Sequence, residues 1–122
     1  MKKKYGFTET SWDIIKEEMR YILIGLARKR QTIYYSDLAA QIQTSYIHHR
    51  APAFMRILGE VVTEDIEDGN PNLAVLVVQK ASGRCGAGYF KAAAADGHDV
   101  SDPEAFWQAE FKSVCDYWAD DE

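Results

Sequence analysis

Apolar residues recur at helical spacing along much of this chain, and the breaks in that spacing mark its other elements. Trp12, Ile15, Met19, Ile22, Leu23 and Leu26 fall on one stripe, the pattern of a helix with one buried face. Thr10 stands where an N-cap belongs, with Asp13 three residues on, as in a capping box. Arg28-Lys29-Arg30 follow in the last turn, where cations suit the helix dipole. Gln31-Thr32-Ile33-Tyr34-Tyr35 is β-branched and aromatic and reads as a short extended piece. Ser36 can cap a second helix, with Asp37 in its first turn and Leu38, Ala39 and Ile42 facing inward. Thr44 to Arg50 is polar and loop-like. Pro52 suits the first turn of a third helix, whose buried face is Phe54, Leu58, Val61 and Val62. Gly59 interrupts that helix at a cost of about 1 kcal/mol relative to alanine, which predicts close packing or close approach there.

The period then changes. Leu73-Ala74-Val75-Leu76-Val77-Val78 is uncharged and bounded by Asn70-Pro71 and Ser82-Gly83, which predicts a strand buried on both faces. Gly83, Gly86 and Gly88 predict a glycine hairpin, with Tyr89-Phe90 as the returning strand. Residues 73–79 should pair antiparallel with 88–92, because roughly ten residues suit a hairpin and are too few for a crossover. Residues 91–95 could continue the strand or form a helical turn. Ser101-Asp102-Pro103-Glu104 opens a last helix with Trp107, Phe111, Val114 and Trp118 inward. The expected fold is α+β and winged helix-turn-helix-like: an N-terminal helix, two short helices, a β-hairpin wing and a C-terminal helix.

Composition narrows the class. At 122 residues the chain makes one domain, 1–122, with residues 1–9 and 119–122 expected to be flexible. No apolar run approaches the roughly 20 residues that span a bilayer. The lysines at 2–4 precede no apolar signal region, so they read as a solvated tail, with no membrane and a cytoplasmic location expected. Cys85 and Cys115 lack zinc spacing and read as reduced thiols, although a bond between them stays open. His48-His49 has no third ligand nearby in sequence, and no Gly-Lys-Ser/Thr follows the glycines, so no metal or cofactor is expected. The net charge is −5; residues 1–50 carry nine Lys/Arg against five Asp/Glu, and residues 51–122 carry five against fourteen. An acidic chain repels phosphate at long range, while the basic first half leaves room for a local patch. Glu64, Asp65, Glu67 and Asp68 crowd a helix end where the dipole disfavours them.

Several segments, in order across residues 31–90, resemble one family. Thr32-Ile33-Tyr34-Tyr35-Ser36-Asp37-Leu38-Ala39 is similar to the T-V-x-Y-G-E-L-A stretch of alkylguanine-DNA alkyltransferases and alkyltransferase-like proteins. Arg56-Ile57-Leu58-Gly59 resembles their R-A-V-G. Asn70-Pro71, the apolar run and Gly86-Ala87-Gly88-Tyr89 resemble their N-P, apolar strand and G-G-Y. The resemblance implies that Tyr35 would help rotate a nucleotide outward and Arg56 would replace it in the stack. Taken as residues alone, Tyr35 reads as a core aromatic and Arg56 as a solvated helical arginine. The family's P-C-H-R is here Val77-Val78-Gln79-Lys80, so the alkyl-accepting cysteine is missing. A non-enzymatic binding domain follows as the expectation, with nucleic acid as ligand and Tyr35, Arg50, Arg56, Gly59, Arg84 and Tyr89 as contacts, joined by His48 and His49. The alternative is an acidic interaction or regulatory module on the same scaffold, meeting a basic protein partner. A third reading is an enzyme that uses Cys85 or a histidine.

Overall fold

The predicted N-terminal stripe forms α1 (Glu9–Arg28), with Trp12, Ile15, Met19, Leu23 and Ala27 buried and Ile22 and Leu26 partly so. The structure, a computed structural model, describes residues 3–119. Met1-Lys2 of the lysine start and the terminal Asp120-Asp121-Glu122 lie outside the described residues. Thr8, not Thr10, is the N-cap, its Oγ1 accepting from the Ser11 N–H at 3.1 Å. The helix begins early because β1 (Lys3–Lys4) and β2 (Phe7–Thr8) pair antiparallel, turning at Tyr5 and Gly6, where φ is 52° and 88°. That hairpin delivers Thr8 to the helix start in the extended conformation an N-cap requires.

Across α1 packs α3 (Pro52–Glu67), which opens on Pro52 as expected and buries Ala53, Phe54, Ile57, Leu58 and Val61. Fully burying a side chain such as Ile15, Phe54 or Ile57 is worth about 1.5–3 kcal/mol, so this seam holds much of the core. The carboxylates at the end of α3 are not left to the dipole. Lys16 pairs with Glu64 and, at 3.5 Å, with Glu60. Arg20 reaches Glu64 at 3.0 Å and the buried Asp65 at 2.9 Å. Trp12 Nε1 donates to Glu60 Oε1 at 2.8 Å, joining the stripe to the ion pairs. Two cations of α1 thereby offset the crowded charge that the sequence shows at the end of α3.

β3 (Ile33–Tyr34) and α2 (Tyr35–Gln41) follow α1. Ser36 is not the cap: Tyr34 holds that position without a side-chain bond. The expected strand at 73–79 is mostly something else. Leu73–Leu76 is a 3-10 turn, nucleated where Asn72 Oδ1 accepts from the Ala74 N–H at 2.8 Å. Only β4 (Val77–Val78) is extended, and it pairs parallel with β3, Ile33 opposite Val77 and Tyr34 opposite Val78. A parallel pair needs a long crossover, and α2 and α3 supply it.

The antiparallel partner at 88–92 is absent, because those residues lie in α4 (Ala87–Ala95). Five alanines in nine residues favour helix, and the glycines become its N-cap, Gly86, and second residue, Gly88, rather than a hairpin. The domain is α+β and mainly helical, and its described residues contain no β-hairpin wing. α5 (Pro103–Ala119) closes the core, with Asp102 Oδ1 accepting from the Ala105 N–H at 3.2 Å and Val114 and Cys115 buried. Cys85 and Cys115 are both free and buried. Among the described residues no helix is long and apolar enough to cross a membrane.

Candidate functional site

β3 alternates as a strand must: Ile33 points into the core and Tyr34 out of it. Tyr35, the first residue of α2, is half-buried with its ring edge-on to Phe54, centroids 6.3 Å apart. Beyond the end of β4 the chain makes a tight loop. The Gln79 N–H donates to the Arg84 carbonyl and the Gly83 N–H to the Gln79 carbonyl, each at 2.8 Å, with Gly83 at φ 70°. Cys85 then turns inward, its thiol 3.2 Å from the Val77 carbonyl it can donate to. Gly86 lies so close to Gln79 that an added Cβ would stand 3.1 Å from the Gln79 amide nitrogen, and its N–H faces the Tyr35 hydroxyl.

These segments surround an open cavity of about 830 Å³. One wall is the face of α3 carrying Met55, Leu58, Gly59 and Val62; another is the start of α4, with Ala87, Gly88, Tyr89 and Ala92. Val78, Gln79 and Lys80 form the floor and its edge, and Tyr34, Tyr35, His49 and Arg50 complete the mouth. Of the two expectations for Gly59, close packing fails: a Cβ there would meet nothing within 4 Å, so the glycine faces open space. α4 buries none of its residues, so the cavity takes the place of a packed neighbour on that side.

Among the described residues, the lining contains no Asp or Glu. Its charged groups are Arg50 and Lys80, with His49 between them in character. The Lys80 ammonium stands 5.7 Å from the centroid of the Tyr34 ring, within reach of a cation–π attraction. His48 and His49 stack with centroids 4.5 Å apart, and the Arg50 N–H donates to His48 Nδ1 at 3.0 Å. Desolvation first, and then the positive neighbours His48, Arg50 and Lys80, hold His49 below the ordinary histidine value. Burial pushes the phenols of Tyr35 and Tyr89 upward, so both stay protonated and able to donate hydrogen bonds at neutral pH.

Of the residues anticipated from sequence, Tyr35, Arg50, Gly59 and Tyr89 meet at this cavity, and His49 joins them. Arg56 does not line it: it is exposed and bonds Glu60 Oε2 at 2.9 Å, one turn along the same helix. Arg84 lies outside as well, exposed and 3.5 Å from Glu104. Met55, Gln79 and Lys80 were not anticipated as contacts. The two polar ones had a signal, since they stand in the last two positions of the segment compared with P-C-H-R. Burial pushes the Cys85 thiol up to about 12, which disfavours the thiolate a nucleophile needs. Among the described residues no three His, Cys, Asp or Glu side chains converge as a metal site. Comparison with protein families, with curated proteins and with solved structures found no match to this chain.

Proposed function

We propose that this chain is a non-enzymatic, alkyltransferase-like binding domain of helix-turn-helix type, lacking the hairpin wing, and that its cavity face binds nucleic acid. One observation carries the reading. In a chain of net charge −5, an open cavity of about 830 Å³ has no carboxylate among its described lining residues and carries Arg50, Lys80 and His49. Cations meet phosphate, while tyrosines and an apolar floor suit the faces of bases. The segments that resemble the alkyltransferases supply this lining: Tyr35, Gly59 and Tyr89 come from three of them. Val78 stands where the resemblance would put the reactive cysteine, which fits binding without transfer.

The acidic-module alternative has less support. Glu64 and Asp65, half of the acidic cluster, are engaged by Lys16 and Arg20 within the fold. Titration of labelled duplex, nicked duplex and single strand at low salt tests the proposal. Binding should weaken as salt rises, with a shallow slope, because few cations face the backbone at once. Lys80→Ala and Arg50→Ala should each reduce that slope. Arg56→Ala should cost little stability, because the arginine is exposed and its pair with Glu60 is open to solvent. Absence of binding to all three probes at about tens of micromolar protein would refute the reading.

A further inference from the structure

Among the described cavity-lining residues, His49 is the side chain whose charge can change near neutral pH. Among the described residues, the charged groups that act on it are His48 and Arg50 on its own loop and Lys80 from the segment beyond β4, and none of the described cavity-lining residues is a carboxylate. An imidazolium at this position is therefore disfavoured by these neighbours in the free protein. A phosphodiester lodged between Arg50 and Lys80 would reverse that balance, because its negative charge attracts the same imidazolium.

We propose that His49 is a proton-coupled phosphate contact: nucleic acid bound at this rim takes up a proton from solvent onto the His49 ring, so that mild acid tightens binding. The inference rests on the nucleic-acid reading above and adds its regulation. The chemistry is a simple balance. One solvent proton joins the free ring nitrogen, and the new N–H donates to a phosphate oxygen. The diester stays singly charged over this range. His48 stacks on His49 but does not line the cavity.

Linkage gives the size and the sign. The free ring is held below the ordinary histidine value. An opposite charge within hydrogen-bond reach raises such a group by roughly one unit or more. Affinity should then rise about tenfold from pH 7.5 to pH 5.5 at constant ionic strength. Fluorescence anisotropy with a labelled thymidine oligonucleotide, whose bases do not protonate there, would measure it. The wild type should tighten about tenfold over that range. His49→Gln should lose most of the increase, whatever its affinity at pH 7.5, while His48→Gln should retain it. NMR titration of the His49 ring should show its midpoint moving upward on adding the oligonucleotide. Binding that does not vary with pH, or a His49→Gln protein with the wild-type increase, would overturn the inference and leave the nucleic-acid reading standing. No binding at any pH would remove both.

Discussion

Gly59 separates stability from function in a way that one pair of substitutions can expose. It lies mid-way along α3, where glycine costs about 0.8–1.0 kcal/mol relative to alanine. A methyl group there would meet no heavy atom within 4 Å, so nothing offsets the gain in helix propensity. Gly59→Ala should therefore stabilise the domain by about 1 kcal/mol, which for a chain of this size is a rise in Tm of roughly 3–6 °C. Urea melts should show a higher midpoint with an unchanged m-value, the mark of a stability change without a change in compactness. Gly59→Leu should fold at least as well as the glycine protein, because its side chain extends into the open cavity. It should weaken oligonucleotide binding about tenfold, the equivalent of about 1.4 kcal/mol, by occupying space the ligand needs. If Gly59→Ala instead lowers the midpoint, the glycine answers to close packing and the open wall is wrong. If Gly59→Leu binds like the wild type, the cavity is not where the ligand sits.

The thiols and the ion pairs make separate predictions. With its thiol held at about 12 by burial, Cys85 exposes about one thiolate in ten thousand at pH 8. It should resist a thiol reagent in the native protein, react fully in denaturant, and gain no adduct from an alkylated-guanine oligonucleotide by intact mass; rapid native labelling would contradict this. Glu64 is held below its ordinary 4.5, first by the Lys16 hydrogen bond, against some desolvation, and then by Arg20. A depressed carboxyl contributes stability that is present above about 4.5 and lost as pH falls through its folded value. Glu64→Gln should thus cost up to about 1 kcal/mol at pH 7, as partly exposed pairs do, and the difference should shrink as pH falls below 4.5 and through the folded value. A penalty that stays the same size as pH falls would show that the ion pairs are not its source.

Element by element, the sequence spoke through periodicity. A stripe such as Trp12, Ile15, Met19 and Leu23 records which positions leave water, and burial is a property each residue carries largely alone. That is why α1, α2, α3, α5 and the core around Phe54 could be read from the chain. The run 73–78 was also correctly read as buried, but its burial does not reveal its backbone. The local signal lay in Asn72, whose carboxamide starts the 3-10 turn, and in the alanines of 91–95, which favour helix over a returning strand. The partner of β4 could not be found nearby, since Val77 pairs with Ile33 across two intervening helices. The same holds for the site. Tyr35, Gly59 and Tyr89 could be named singly, whereas Lys80 and His49 meet at one mouth only through the folded chain. Arg56 shows the converse: its position in a motif suggested a contact, and a bond to Glu60 on its own helix turned it elsewhere. Turn chemistry and burial pattern are local and survive in the sequence. A cavity is space that several distant segments fail to fill, and only tertiary packing decides where that space lies.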